Sequence, residues 1–155
     1  MTKSELKEFL DEKVEFYNNP NFIESDPIQI PHFYSLKEDI EIAGFLAATI
    51  AWGNRKMIIN NAKKMMDLMG NSPYDFVMSH SESHLESLEN FVHRTFNGED
   101  CVYIFKAIKN IYNEYGSLGN CFSTFVNNNP IPVAMSLFRQ KLFSQSCQLQ
   151  FLLMT

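Results

Sequence analysis

Apolar residues recur at helical spacing along most of the chain, and no stretch alternates apolar and polar positions as a half-buried strand does. Residues 4–17 place Leu6, Phe9, Leu10, Val14 and Tyr17 on one stripe, and Asn18-Asn19-Pro20 ends it. Residues 20–34, "PNFIESDPIQIPHFY", hold three Pro and predict an extended connector. Ser35-Leu36-Lys37-Glu38 has the form of a capping box and predicts a helix over about 36–52. From Ile40 to Trp52 only Glu41 and Thr49 are clearly polar, the composition of a central helix. Ala43, Gly44, Ala47, Ala48 and Ala51 are small, so neighbouring helices can approach there, and Trp52 fits core packing beside them.

Gly53-Asn54 breaks that helix, and a second follows over about 55–69, with Gly70 as its stop. Ser72 as N-cap and Pro73 at the first helical position predict a short helix over 73–79. "SHSESHLESLENF" supports another near 82–90. Asn97-Gly98 is a turn, and residues 99–115 form the clearest amphipathic pattern, ended by Gly116. Ser117 can cap a helix carrying Leu118, Cys121, Phe122 and Phe125. Asn127-Asn128-Asn129-Pro130 reads as a linker before a last helical pattern over about 132–144. The expected fold is all-α, with seven or eight helices in an orthogonal array or bundle.

A chain of 155 residues fits one domain with its own core. Fourteen Phe and six Tyr oppose disorder. The net charge of −5 excludes strong nonspecific attraction to nucleic acid through overall charge, but leaves room for a local basic patch. Cys101, Cys121 and Cys147 stand far apart without C-x-x-C spacing, so neither a metal knuckle nor a disulfide framework is indicated. Reduced thiols and a charged N-terminus without a signal-peptide core suit the cytoplasm. The longest apolar run, Ile42–Trp52, is too short to span a bilayer, so no membrane partner is expected.

Candidate chemistry is sparse. His80 and His84 stand at i,i+4 beside Glu82 and Glu86, which fits either a zinc pair lacking further ligands or a solvated helix face. In His93-Arg94-Thr95-Phe96, Arg94 can grip a phosphate through its fork of donors or bond helix-end carbonyls. Asp39 lies in the first turn of its helix, where the dipole accounts for it, and cannot share a face with Glu41. Between Glu41 and Asp67 every charge is positive: Arg55, Lys56, Lys63 and Lys64. A helix N-terminus with Arg55 and Lys56 suits a phosphate contact, while a solvated amphipathic face accounts for the same residues. Phosphate-loop, dinucleotide and nucleophile-elbow motifs are absent, and no cofactor is expected.

"DIEIAGFLAATIAWGNR" from Asp39 to Arg55, "NSPYDFV" from Asn71 to Val77, and Phe91 with "HRTF" from His93 resemble a bacterial family, domain-of-unknown-function family 2400. The resemblance covers roughly 1–130, and the chain no longer looks like the family from about Arg139, so 131–155 is expected to be a divergent tail. The family is similar in turn to helix-hairpin-helix DNA glycosylases of the endonuclease-III-like group. There an apolar helix leads into an "L-S-x-Q-x-T" corner, and "N-T-P" opens a later helix. Ile50 to Arg55 would occupy the corner, and Asn71-Ser72-Pro73 would match the later motif.

The resemblance implies the N-terminal helical part of a glycosylase-like protein that contacts DNA through Trp52, Gly53, Asn54, Arg55, Lys56 and Arg94. Gly53 falls where that superfamily has the Gln that fills the gap left by a flipped base, and Arg55 falls on its Thr. Longer members continue into a hairpin and a "P-L-D-x-H" stretch bearing the catalytic Asp. No residue here matches that Asp, so the chain is expected to be truncated by an early stop or frameshift and catalytically silent. Intact relatives would be base-excision N-glycosylases or lyases. The alternative is a non-enzymatic all-α module that binds protein or a small molecule through an adaptable surface rich in Met and aromatic residues.

Overall fold

A computed structural model describes residues 1–144. The expectations for the apolar chain end, and Cys147 with it, lie outside the described residues. Nine α-helices occur among the described residues: α1 (Lys3–Tyr17), α2 (Pro20–Glu24), α3 (Lys37–Thr49), α4 (Arg55–Leu68), α5 (Pro73–Ser79), α6 (Glu82–Glu86), α7 (Gly98–Tyr115), α8 (Leu118–Val126) and α9 (Ile131–Phe143). Two 3₁₀ turns, Pro27–Gln29 and Pro31–Phe33, lie between α2 and α3. The fold is all-α, with no named strand among the described residues. No described helix is long and apolar enough to cross a membrane.

The core is built on α3 and α7. Ile42 and Leu46 from the first, Ile50 at its C-cap, and Ile104, Phe105 and Ile108 from the second are all buried. α4 adds Ala62, Met65 and Met66. α3 packs against both 3₁₀ turns, α4, α5 and α8, while α7 packs against α5, α8 and α9. Gly98 opens α7 against the chain after α6, where a Cβ would overlap the Glu89 backbone. That close approach requires glycine.

Two carboxylates of α3 tie other helices to it. Asp39 Oδ1 accepts from the Tyr74 amide at 2.8 Å, at the start of α5. Glu41 Oε2 accepts from the Leu118 amide at 3.0 Å, at the start of α8, and from the Tyr112 hydroxyl at 3.0 Å. Burial, then the nearby Glu41 charge, raises the Tyr112 hydroxyl well above the ordinary phenol range. Asp39 therefore does more than complement its own helix dipole: it supplies the cap that Ser72 does not.

Two local expectations are corrected, and a third element forms as expected. Residues 20–34 are not extended, because each Pro opens a short turn of helix. Asn19 accepts from Phe22 N at 3.3 Å and Asp26 from Ile28 N at 3.0 Å, which caps the first two turns, while the turn opened by Pro31 has no side-chain cap. The Ser35 box does not form. α3 starts at Lys37, so Leu36 holds the cap position and Ser35 falls one residue outside it. The stripe on α1 exists but is not covered, since α1 has no buried residue.

Candidate functional site

α3 unwinds earlier than its apolar run suggests. The Ala51 amide donates to Ala48 O at 3.1 Å and the Trp52 amide to Ile50 O at 2.8 Å. Gly53 then takes φ +109°, a value L side chains rarely adopt. Asn54 returns to extended backbone, and its side-chain oxygen accepts from Met57 N at 3.2 Å, capping α4. The first intrahelical bond runs from Ile58 N to Asn54 O at 3.0 Å. The amides of Arg55 and Lys56 precede it, at the positive end of the helix.

A second segment closes over this corner. His93 and Phe96 exchange backbone bonds of 2.8 and 2.9 Å across a tight turn. Arg94 holds φ +56° in that turn. Its guanidinium lies across Gly53, so that a Cβ added there would stand 2.9 Å from Arg94 Nη1. Arg94 is thus a turn residue and not itself at the end of a helix.

His93 is the post under the corner. Its ring is 1% exposed. The Trp52 carbonyl can only accept, so Nε2 donates to it at 3.2 Å. Nδ1 then accepts from the Asn61 amide at 2.8 Å, which joins the turn to α4. Trp52 packs edge-on against this imidazole, centroids 5.2 Å apart, and is 36% exposed. Core packing was expected for it; the break in α3 places it at the surface instead. Sequence reasoning assigned no role to His93 or Asn61. The available signal was the apolar setting of "FVHRTF", in which His93 lies between Phe91 and Phe96.

The remaining candidates separate. Arg55 turns toward the 3₁₀ segment, with Nε 3.9 Å from Asp26 Oδ2 and its guanidinium 5.8 Å from the Phe22 ring centre. It borders a cleft of about 400 Å³ lined by Gly44, Ala47 and Ala48 of α3 and by Ala51, Pro27, Pro31 and Ile58. Lys56 is exposed beside it. Lys63 sits over the Phe33 ring at 5.5 Å. His84 Nδ1 accepts from the Ser81 amide at 3.2 Å, while His80 Nδ1 lies 3.1 Å from Phe76 O. Among the described residues no three or more His, Cys, Asp or Glu side chains gather where they could hold a metal ion.

The family model described as "Protein of unknown function (DUF2400)" matches residues 26–155. The chain belongs to this family. No curated protein and no solved structure matches the chain. The DUF2400 match takes in the whole corner, from Asp26 through Arg55 to Arg94. It also runs through 131–155, the segment expected to diverge, and it leaves α1 and α2 outside.

Proposed function

We propose that this DUF2400 chain contacts the phosphate backbone of DNA at the corner between α3 and α4, and performs no catalysis alone. What supports the reading is one convergence. Arg94 lies over Gly53 from a distant segment, immediately before Arg55 and Lys56 at the positive end of α4. Guanidinium, ammonium and helix amides are the donor set that phosphates take. The Arg55–Asp26 pair is long, at 3.9 Å, and the Arg55 side chain is exposed, so little opposes redirecting Arg55 to a phosphate. The position of the corner in the glycosylase resemblance adds to the reading. Gly53 restricts it to backbone contact, because a residue without a side chain cannot fill the space left by an extruded base.

Titration of a short DNA duplex with the full chain over rising salt tests this. Three phosphate contacts give a log–log slope of about −2.7, or about a 40-fold loss of affinity from 50 to 200 mM salt. Arg55→Ala/Lys56→Ala should leave a slope of about −0.9. Absence of binding at low salt, or an unchanged slope in the double variant, removes the proposal.

A further inference from the structure

We propose that Trp52 is a stacking platform for an unpaired base, so that the corner, beyond the backbone contact on which this rests, takes single-stranded DNA in preference to duplex. Trp52 is the only Trp of the chain, and it is 36% exposed. Trp is ordinarily buried over most of its surface, and where it stays exposed it is enriched at interfaces. Its one ring contact among the described residues is with His93, at 5.2 Å between centroids and 82° between planes. An edge-to-face contact occupies at most one face of the indole, whichever ring supplies the edge. The His93 ring is itself buried and tied to the Trp52 carbonyl and to Asn61, so the residue that carries the indole is fixed before a ligand arrives.

The surroundings of the indole suit a strand. Every residue from Ala51 to Met57 is exposed, and so are Val92, Arg94 and Thr95 on either side of His93. Neither stretch contains a carboxylate. Arg94 lies across Gly53, the neighbour of Trp52. Lys56 and Arg94 have no ion-pair partner among the described residues, and Arg55 is held only by Asp26 at 3.9 Å and the Phe22 ring. Free cations beside an exposed aromatic are the arrangement that holds a strand by its phosphates while a base stacks. Gly53 decides between the two forms of DNA. It has no side chain to drive into a base stack, so a base reaches Trp52 only where it is already unpaired, and extruding one from a duplex would go uncompensated. On a duplex the corner is left with the phosphates alone. On a single strand it gains the ring as well.

Because the chain has a single Trp, its fluorescence reads the contact directly. The full chain is titrated at low salt with an oligothymidine strand, an equal-length strand of abasic sites and an equal-length duplex. The abasic strand keeps the phosphates and lacks the bases. The thymidine strand should quench the indole and bind about tenfold more tightly than the abasic strand, and more tightly than the duplex. The abasic strand should leave the emission nearly unchanged. Trp52→Ala, followed by the anisotropy of a labelled strand and checked for helix content by circular dichroism, should bring the thymidine and abasic strands to one affinity. Trp52→Phe should keep part of the difference. The wild-type comparison decides even where a variant is unstable. Equal wild-type affinity for the thymidine and abasic strands, unaltered emission, or a preference for duplex overturns the stacking and leaves the backbone contact standing. So does a base preference that survives in folded Trp52→Ala. Absence of binding to all three at low salt overturns both.

Discussion

His93 Nε2 donates to the Trp52 carbonyl oxygen at 3.2 Å across 41 positions of sequence. The imidazole also accepts from Asn61, so one buried ring holds the end of α3, the second turn of α4 and the Arg94 turn together. The corner is thereby rigid before any ligand arrives, and a preorganised contact loses less entropy on binding. His93→Ala removes both bonds and opens a cavity, which should cost about 2–4 kcal/mol in urea denaturation. A loss below about 1 kcal/mol, typical of an ordinary surface change, would deny the ring this role.

Gly53 meets two separate demands, a left-handed backbone and the guanidinium laid across it. Gly53→Ala should destabilise by about 1–3 kcal/mol. Adding Arg94→Ala separates the causes. Arginine is flexible and can step aside, so most of the loss should remain in the double variant. Full recovery in thermal or urea unfolding would place the whole cost in the contact.

Regular helices were legible wherever a long apolar face repeats. The bounds expected for α4, α5 and α7 agree with the structure to within a residue, because Asn54, Pro73, Asn97 and Gly116 punctuate the chain locally. The 3₁₀ turns were not legible, since three residues carry no period and Pro alone suggests extension. Ser35 looked like a cap only while the helix was assumed to start at 36. The candidate corner was half legible. Trp52 through Lys56 are contiguous, and a sequence displays contiguity. His93 and Asn61 act through contacts 41 and 32 positions apart, which helical periodicity does not encode.

The start of α5 separates a sequence expectation from a structural one. Ser72 occupies the cap position, yet its side chain makes no capping bond, and Asp39 reaches the Tyr74 amide from α3. Asp39→Ala should therefore cost about 1–2 kcal/mol, the usual loss for a helix cap. Ser72→Ala should stay within about 0.5 kcal/mol of wild type. Equilibrium unfolding of the two variants side by side checks this, and the reverse order would return the cap to Ser72.

Alkaline pH should unfold the chain through groups that are buried neutral. Cys101 is 1% exposed. Burial, helped by the neighbouring Asp100 charge, pushes its thiol from 9.0 up to about 12. The folded state then holds a proton that the unfolded state releases. The stabilisation is complete below pH 9 and is lost as pH rises through the window up to about 12. One such group contributes at most about 1.4 kcal/mol per pH unit there. The Tyr112 hydroxyl is raised in the same sense from 10.0, so the limb has at least two contributors. Unfolding free energies measured from pH 8 upward should fall in wild type. Cys101→Ala should flatten the first part of that fall and leave the later part, which Tyr112→Phe should flatten instead. An identical slope in wild type and Cys101→Ala would show that the thiol titrates alike in both states and is not held neutral by the fold.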